Sequence, residues 1–246
     1  MLMALLADIH ANREALEACL EDARNHDAER LVFLGDHVGY GADPEWVAET
    51  IREEVAAGGI ALLGNHDAAV GGRDETMDSP AQTASDWTRV QLGAAPRAFL
   101  AGLPLTVETN GCLFVHSEAA APKRWTYVMD SYDALRSLTA TRCRLTFCGH
   151  VHRPAIYNLS ATKKLTAFRP VTGVAVPLLP QRRWLCVLGS VGQPRDGNPA
   201  ASYAMLDTDK SEITYLRVPY DIETAAAKIL DAGLPESLAE RLRFGI

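Results

Sequence analysis

Short apolar runs alternate with amphipathic stretches over the first sixty residues. Leu2–Ala7 is continuously apolar, the pattern of a strand buried on both faces. Asn12 then stands where a helix cap belongs, with Glu14 in the first turn, and Leu16, Cys19, Leu20 and Ala23 recur at helical spacing. Leu31–Leu34 is a second apolar strand, running into Gly35-Asp36. Asp43-Pro44 opens a second helix with Trp46, Val47 and Ile51 as its inner stripe. Ile60–Leu63 is a third strand, ending at Gly64-Asn65. Strand, loop and helix in repetition are the signature of an α/β sheet.

The middle of the chain is less regular. Gly71–Asp78 is polar and reads as a surface loop, and Pro80–Leu103 reads as helical with breaks near Gly93 and Pro96. Asn110-Gly111 between the apolar runs Leu105–Thr109 and Cys112–His116 signals a tight hairpin. Pro122–Met129 is an aromatic-rich loop, Ser131–Ala140 a short helix, and Leu145–Cys148 a strand ending at Gly149-His150. Ile156–Leu159, Arg183–Leu188, Ser202–Leu206 and Ile213–Val218 are strand-like, and Ile222–Leu230 and Ser237–Leu242 close the chain as helices. No interdomain linker or internal repeat interrupts this order. It predicts an α/β fold of two packed sheets with helices outside, in one domain over 1–246.

Composition narrows the function. Hydrophobic residues make up 48% and charged residues 22%, which excludes disordered and low-complexity classes. A net charge of −7 opposes a phosphate backbone, so no extended nucleic-acid binding is expected. Five cysteines without CxxC spacing read as reduced thiols, with Cys112 and Cys148 in the core. The apolar start MLMALLADIH lacks a basic lead and ends at Asp8, so it reads as a strand rather than a signal peptide. No run of about 18 apolar residues suggests a membrane span. The expectation is a cytoplasmic protein, with a homo-oligomer left open.

Six of the seven histidines follow expected strands: His10, His37, His66, His116, His150 and His152; His26 stands apart on the surface. Strand ends fix the backbone while the following loop leaves side chains open. In an extended chain, Asp8 and His10 point the same way and can reach one metal, and His150 and His152 repeat that spacing. Gly35, Gly64 and Gly149 precede ligand candidates. Asp8, His10, Asp36, Asn65, His116, His150 and His152 are too many for one tetrahedral zinc. They suit two divalent ions about 3.5–4 Å apart sharing a carboxylate. Nitrogen and oxygen donors without thiolate favour manganese, iron, zinc or cobalt.

With DIH at 8–10, GDHVGYG at 35–41, GNHD at 64–67, VH at 115–116 and GHVH at 149–152, the chain resembles metal-dependent phosphoesterases of the calcineurin-like superfamily. GSVGQPRDG at 189–197 and VPYDIETAAAKI at 218–229 extend the resemblance to small bacterial members and the whole chain. The resemblance implies a two-sheet β-sandwich flanked by helices. It implies that Asp8, His10, Asp36 and His152 hold the first metal, that Asp36 bridges, and that Asn65, His116 and His150 complete the second. His66 would face the substrate, with Asp67 orienting its ring. Protein Ser/Thr phosphatases of this superfamily carry GDxVDRG and GNHE; here the arginine is missing, which argues against phosphoproteins as substrates.

Two ions carrying +4 against two aspartates would make the site locally cationic and able to bind a phosphate. The expected reaction is hydrolysis of a phosphate mono- or diester in a small phosphorylated substrate. A metal-bridging hydroxide would be the nucleophile, His66 would assist the leaving group, and no covalent intermediate would form. Hydrolysis of dinucleoside polyphosphates or cyclic nucleotides, and a non-catalytic scaffold keeping the fold, are the alternatives. Asn12 and Arg195 are candidate substrate contacts, the Trp125–Tyr127 pair could line a pocket near His116, and His37, whose side chain should point away from Asp36, has no assigned role.

Overall fold

The computed structural model describes residues 1–72 and 79–246. Most of the polar loop expected at Gly71–Asp78 therefore lies outside the described residues. In chain order the first half comprises β1 (Leu2–Leu6), α1 (Arg13–Asn25), β2 (Arg30–Phe33), α2 (Pro44–Ala56), β3 (Ile60–Ala61), α3 (Asn65–Val70), α4 (Ser79–Gln91), α5 (Ala94–Ala101), β4 (Thr106–Thr109) and β5 (Cys112–Val115). The second half comprises α6 (Ser131–Ala140), β6 (Leu145–Cys148), β7 (Ala155–Ser160), β8 (Leu165–Phe168), β9 (Ala175–Pro177), β10 (Arg182–Val187), β11 (Ala201–Asp207), β12 (Glu212–Val218), α7 (Ile222–Asp231) and α8 (Glu236–Phe244).

The strands form two mixed six-stranded sheets, ordered β3-β2-β1-β11-β12-β9 and β4-β5-β6-β10-β7-β8. β1, β2 and β3 run parallel in the first, and β5, β6 and β10 in the second. Alternation along β1 shows how the layers are joined. Met3, Leu5 and Ala7 enter the core between the sheets with Phe114, Phe147 and Cys186, while Ala4 and Leu6 turn to α1 and α2. A strand buried on both faces must be apolar throughout, which is why the run at Leu2–Ala7 is continuous. α6 covers the outer face of the second sheet through Ala134 and Leu138. α7 and α8 pack with Ala81, Ala84 and Tyr40. Among the described residues no helix is long and apolar enough to cross a membrane.

One of the sequence expectations for local structure holds in detail and others change. The hairpin closes at Asn110-Gly111, both at positive φ (51° and 74°), as a two-residue turn between Thr109 and Cys112 requires. Pro96, however, breaks nothing: it sits in the first turn of α5, where a missing N–H costs no helix bond, and the break falls at Leu92-Gly93. β8 and the short β9 lie at sheet edges with weak burial patterns, so periodicity does not reveal them. The third strand is also shorter than expected, with Leu62 and Leu63 continuing outside it.

Candidate metal centre

Loops at the ends of the parallel strands converge where the two sheets meet. Asp8 and His10 follow β1, Asp36 follows β2, Asn65 begins α3, His116 follows β5, and His150 and His152 follow β6. All but the half-buried Asn65 are buried. Ligand atoms of Asp8, His10 and His152 lie within 4.8 Å of one another, as do those of Asp36, His116 and His150, and of His10, Asp36 and His66. Asp36 Oδ2 is 3.3 Å from His116 Nε2 and 3.8 Å from His10 Nε2, so one carboxylate faces both groups. Asn65 Oδ1 is 3.2 Å from His116 Nε2.

The backbone brings these groups together by a route other than the extended one expected. Asp8, His10, Asp36, His150 and His152 have φ of 55°, 49°, 53°, 69° and 60°, the left-handed region that L-residues avoid at a cost of about 1–2 kcal/mol each. Simple i, i+2 alternation therefore does not apply. Asp8 and His10 still share a group, but His150 and His152 diverge to different groups. Close approach also dictates Gly64: a Cβ there would lie 2.2 Å from both the Asp36 amide nitrogen and its Oδ1.

The histidine partners test whether cations fit. His116 Nδ1 donates to Leu34 O (2.7 Å), His150 Nε2 to Trp125 O (2.8 Å), His152 Nδ1 to Gln193 O (2.6 Å) and His10 Nδ1 to Val38 O (3.3 Å). A carbonyl only accepts, so a neutral ring carries its proton on that side and its other nitrogen presents a lone pair. Those second nitrogens face each other in pairs, His10 Nε2 to His152 Nε2 and His116 Nε2 to His150 Nδ1, each at 3.1 Å. Between His10 and His152 the facing lone pairs repel unless a positive charge stands between them; between His116 and His150 a proton on His116 supplies that charge, where a divalent ion would replace it.

The electrostatics agree. Burial lowers His10 and His152 well below the ordinary value and takes His150 to about 3, with the His116 charge adding to the fall at His150. Burial also opposes protonation of His116, but Asp36 and Asp8 outweigh it and raise this ring to about 9. Of the two carboxylates, Asp8 is pushed up to about 7 by burial and by the Asp36 charge, against the pull of His116. Burial acts the same way on Asp36, but His116, His66 and His10 overcome it and hold its carboxyl well below the usual range. The pocket attracts positive charge to the His116–Asp36 contact.

The remaining candidates fall unevenly. His66 is buried, its amide donates to Asp36 Oδ1 at 2.9 Å, and its ring lies 4.5 Å from Tyr40 and 4.9 Å from His10. Asp67 does not orient that ring: Oδ1 accepts the amides of His37 (2.9 Å) and Val38 (3.2 Å), and Oδ2 accepts that of Gly64 (2.9 Å). These three bonds stitch the loop after β2 to the start of α3, and His66 Nδ1 is buried without a partner. Asn12 caps α1 through Ala15 N (3.1 Å) and donates to Gly192 O (2.9 Å) and Tyr220 Oη (3.3 Å), so its side chain is occupied structurally. His37 donates through Nε2 to Leu62 O at 2.8 Å and joins none of the three groups. Arg195 reaches the rim of the centre, 5.7 Å from the Tyr40 ring centroid, and its charge helps to lower His10, His66 and His152. Tyr127 stacks on His150 at 4.0 Å and Trp125 lies 6.0 Å from His116, so this pair does flank the centre. Tyr40 and Gln193 were not singled out from sequence, although both lie within quoted motifs, and that membership was the available signal.

The profile of the calcineurin-like phosphoesterase superfamily domain matches residues 1–211. A metallophosphoesterase from Sphaerobacter thermophilus is 36% identical, and its crystal structure superposes with a TM-score of 0.88 over 100% of this chain and 99% of that one. The hypothetical protein PH1004 of Pyrococcus horikoshii OT3 shares the fold at 19% identity and TM-score 0.80, over 100% of this chain and 98% of that one. The uncharacterized protein MJ0912 of Methanocaldococcus jannaschii is 34% identical over 251 residues, spanning 99% of this chain and 98% of its own.

Proposed function

We propose that this chain, which belongs to the calcineurin-like phosphoesterase superfamily, hydrolyses phosphate mono- or diesters of small molecules with two divalent ions. The observation that carries this reading is the pair of facing histidine nitrogens, each fixed by a backbone carbonyl behind it, with the Asp36 carboxylate between the two groups. Asp8, His10, Asp36 and His152 would hold one ion, and Asp36, Asn65, His116 and His150 the other. Manganese, iron or zinc suits these donors. Bound there, the ions would supply an activated water and charge compensation for phosphate oxygens.

The chain's own residues do the rest. Leu34, Val38, Trp125 and Gln193 orient the four rings through their carbonyls, so the rings are fixed in direction before any ion binds. Burial lowers His66, so its protonated form is a stronger acid than a free imidazolium and would give that proton to the departing ester oxygen. The test is metal analysis of the purified protein, with p-nitrophenyl phosphate and bis-p-nitrophenyl phosphate assayed with and without manganese. Metal-dependent release of p-nitrophenol from at least one ester is expected. No hydrolysis of either ester by fully metal-loaded protein would overturn the reading.

A further inference from the structure

Arg195 is held in a manner that its exposure alone would not suggest. Gln193, only 1% exposed, gives Oε1 to Arg195 Nε at 3.3 Å and to Nη2 at 2.9 Å. The same glutamine is anchored to the centre. Its carbonyl accepts from His152 Nδ1, its amide donates to Ser190 Oγ at 2.7 Å, and that hydroxyl donates to Asp8 O at 2.7 Å. Arg195 adds its own amide bond to His152 O at 3.2 Å. Its guanidinium leans over Tyr40, whose ring lies 4.6 Å from His10 and 4.5 Å from His66.

The fork is nonetheless unsatisfied. Among the described residues no carboxylate pairs with Arg195, its neighbour Asp196 going to Arg217 instead, and Nη1 makes no hydrogen bond. Gln193 Nε2 is buried without a partner, but it borders a separate small cavity that His10, Asn12, Tyr40, Glu14 and Asp43 line and Arg195 does not. A fixed cation with a free donor edge matches an oxyanion. A terminal phosphoryl group has one more non-bridging oxygen and one more negative charge than a phosphodiester, so it gains more from this contact.

We infer that Gln193 positions Arg195 as a specificity-determining contact for the terminal phosphoryl group of the substrate, biasing the centre toward phosphate monoesters over diesters. The inference rests on the phosphoesterase reading above and refines it.

Arg195→Gln and Gln193→Leu, singly and together, test it against p-nitrophenyl phosphate, bis-p-nitrophenyl phosphate and orthophosphate. Arg195→Gln should lower kcat/KM for the monoester about tenfold or more, with a markedly smaller loss on the diester and unchanged metal content. Gln193→Leu should move the same ratio through KM, and should move it no further when added to Arg195→Gln. Orthophosphate, titrated calorimetrically, should bind Arg195→Gln about tenfold more weakly than wild type. Equal losses on both esters, additive effects of the two changes, or unaltered orthophosphate binding would each overturn the inference. If wild-type protein cleaves neither ester, it is the phosphoesterase reading that falls, and the orthophosphate titration still decides the role of Arg195.

Discussion

A histidine can offer a metal only the nitrogen that its other neighbour leaves free, and here backbone carbonyls make that choice for His10, His116, His150 and His152. No residue pattern could reveal these partners, since every residue has a carbonyl and only the fold decides which one faces a ring. The motifs do expose the rings themselves. His66 differs from the other four: its Nδ1 has no partner and Asp67 is committed to three backbone amides, yet its ring lies close enough to His10 and Asp36 to form a third ligand-like group. Replacing it separates two roles. If His66 exchanges a proton with the leaving group, His66→Ala should keep its full metal content and lose about a hundredfold or more in kcat. Loss of bound metal, measured by elemental analysis, would instead make His66 a ligand.

At the scale of elements, α1 shows one side chain serving the fold next to the site. Asn12 supplies the cap acceptor and joins the helix start to Gly192 O and Tyr220 Oη, two segments from the far end of the sequence. Asn12→Ala should therefore cost about 1–2 kcal/mol of stability, through the lost cap and the stranded partners, while KM for the ester stays unchanged. A normal melting profile with a raised KM would make Asn12 a substrate contact instead. Elements with a strong period were legible: α6 and β6 occupy Ser131–Ala140 and Leu145–Cys148 as expected from sequence. Elements without one were not. β8, whose side chains are only partly buried, carries no alternation to read, and the left-handed turns at Asp8, His10, His150 and His152 are imposed by the strand ends converging rather than by local preference. Spacing thus singled out residues that the fold does bring together, while suggesting the wrong backbone route to that arrangement.

For the molecule as a whole, the centre is a seam. Asp8, His10, Asp36 and Asn65 come from loops of the first sheet, and His116, His150 and His152 from loops of the second. Direct bonds already cross it, the Asp8 carboxylate accepting the His150 amide at 2.9–3.0 Å and His116 donating to Leu34 O. The facing ring nitrogens also cross it at the His10–His152 pair, so repulsion there bears on the packing of sheet against sheet. An ion that binds this arrangement and not the unfolded chain must add to stability by mass action, about 2.7 kcal/mol at a free concentration one hundred times its Kd. For a chain of this length, about 1 kcal/mol moves the melting temperature by roughly 2–4 °C. Scanning calorimetry should therefore show chelator-treated protein melting roughly 5–10 °C below protein with manganese or zinc at that excess. The shift should shrink when His10 or His152 is replaced by alanine, because each change removes one of the facing nitrogens together with the repulsion that the ion relieves. A melting temperature indifferent to chelator and metal would show that the seam is held by protein contacts alone, and would remove the energetic basis for placing ions between the sheets.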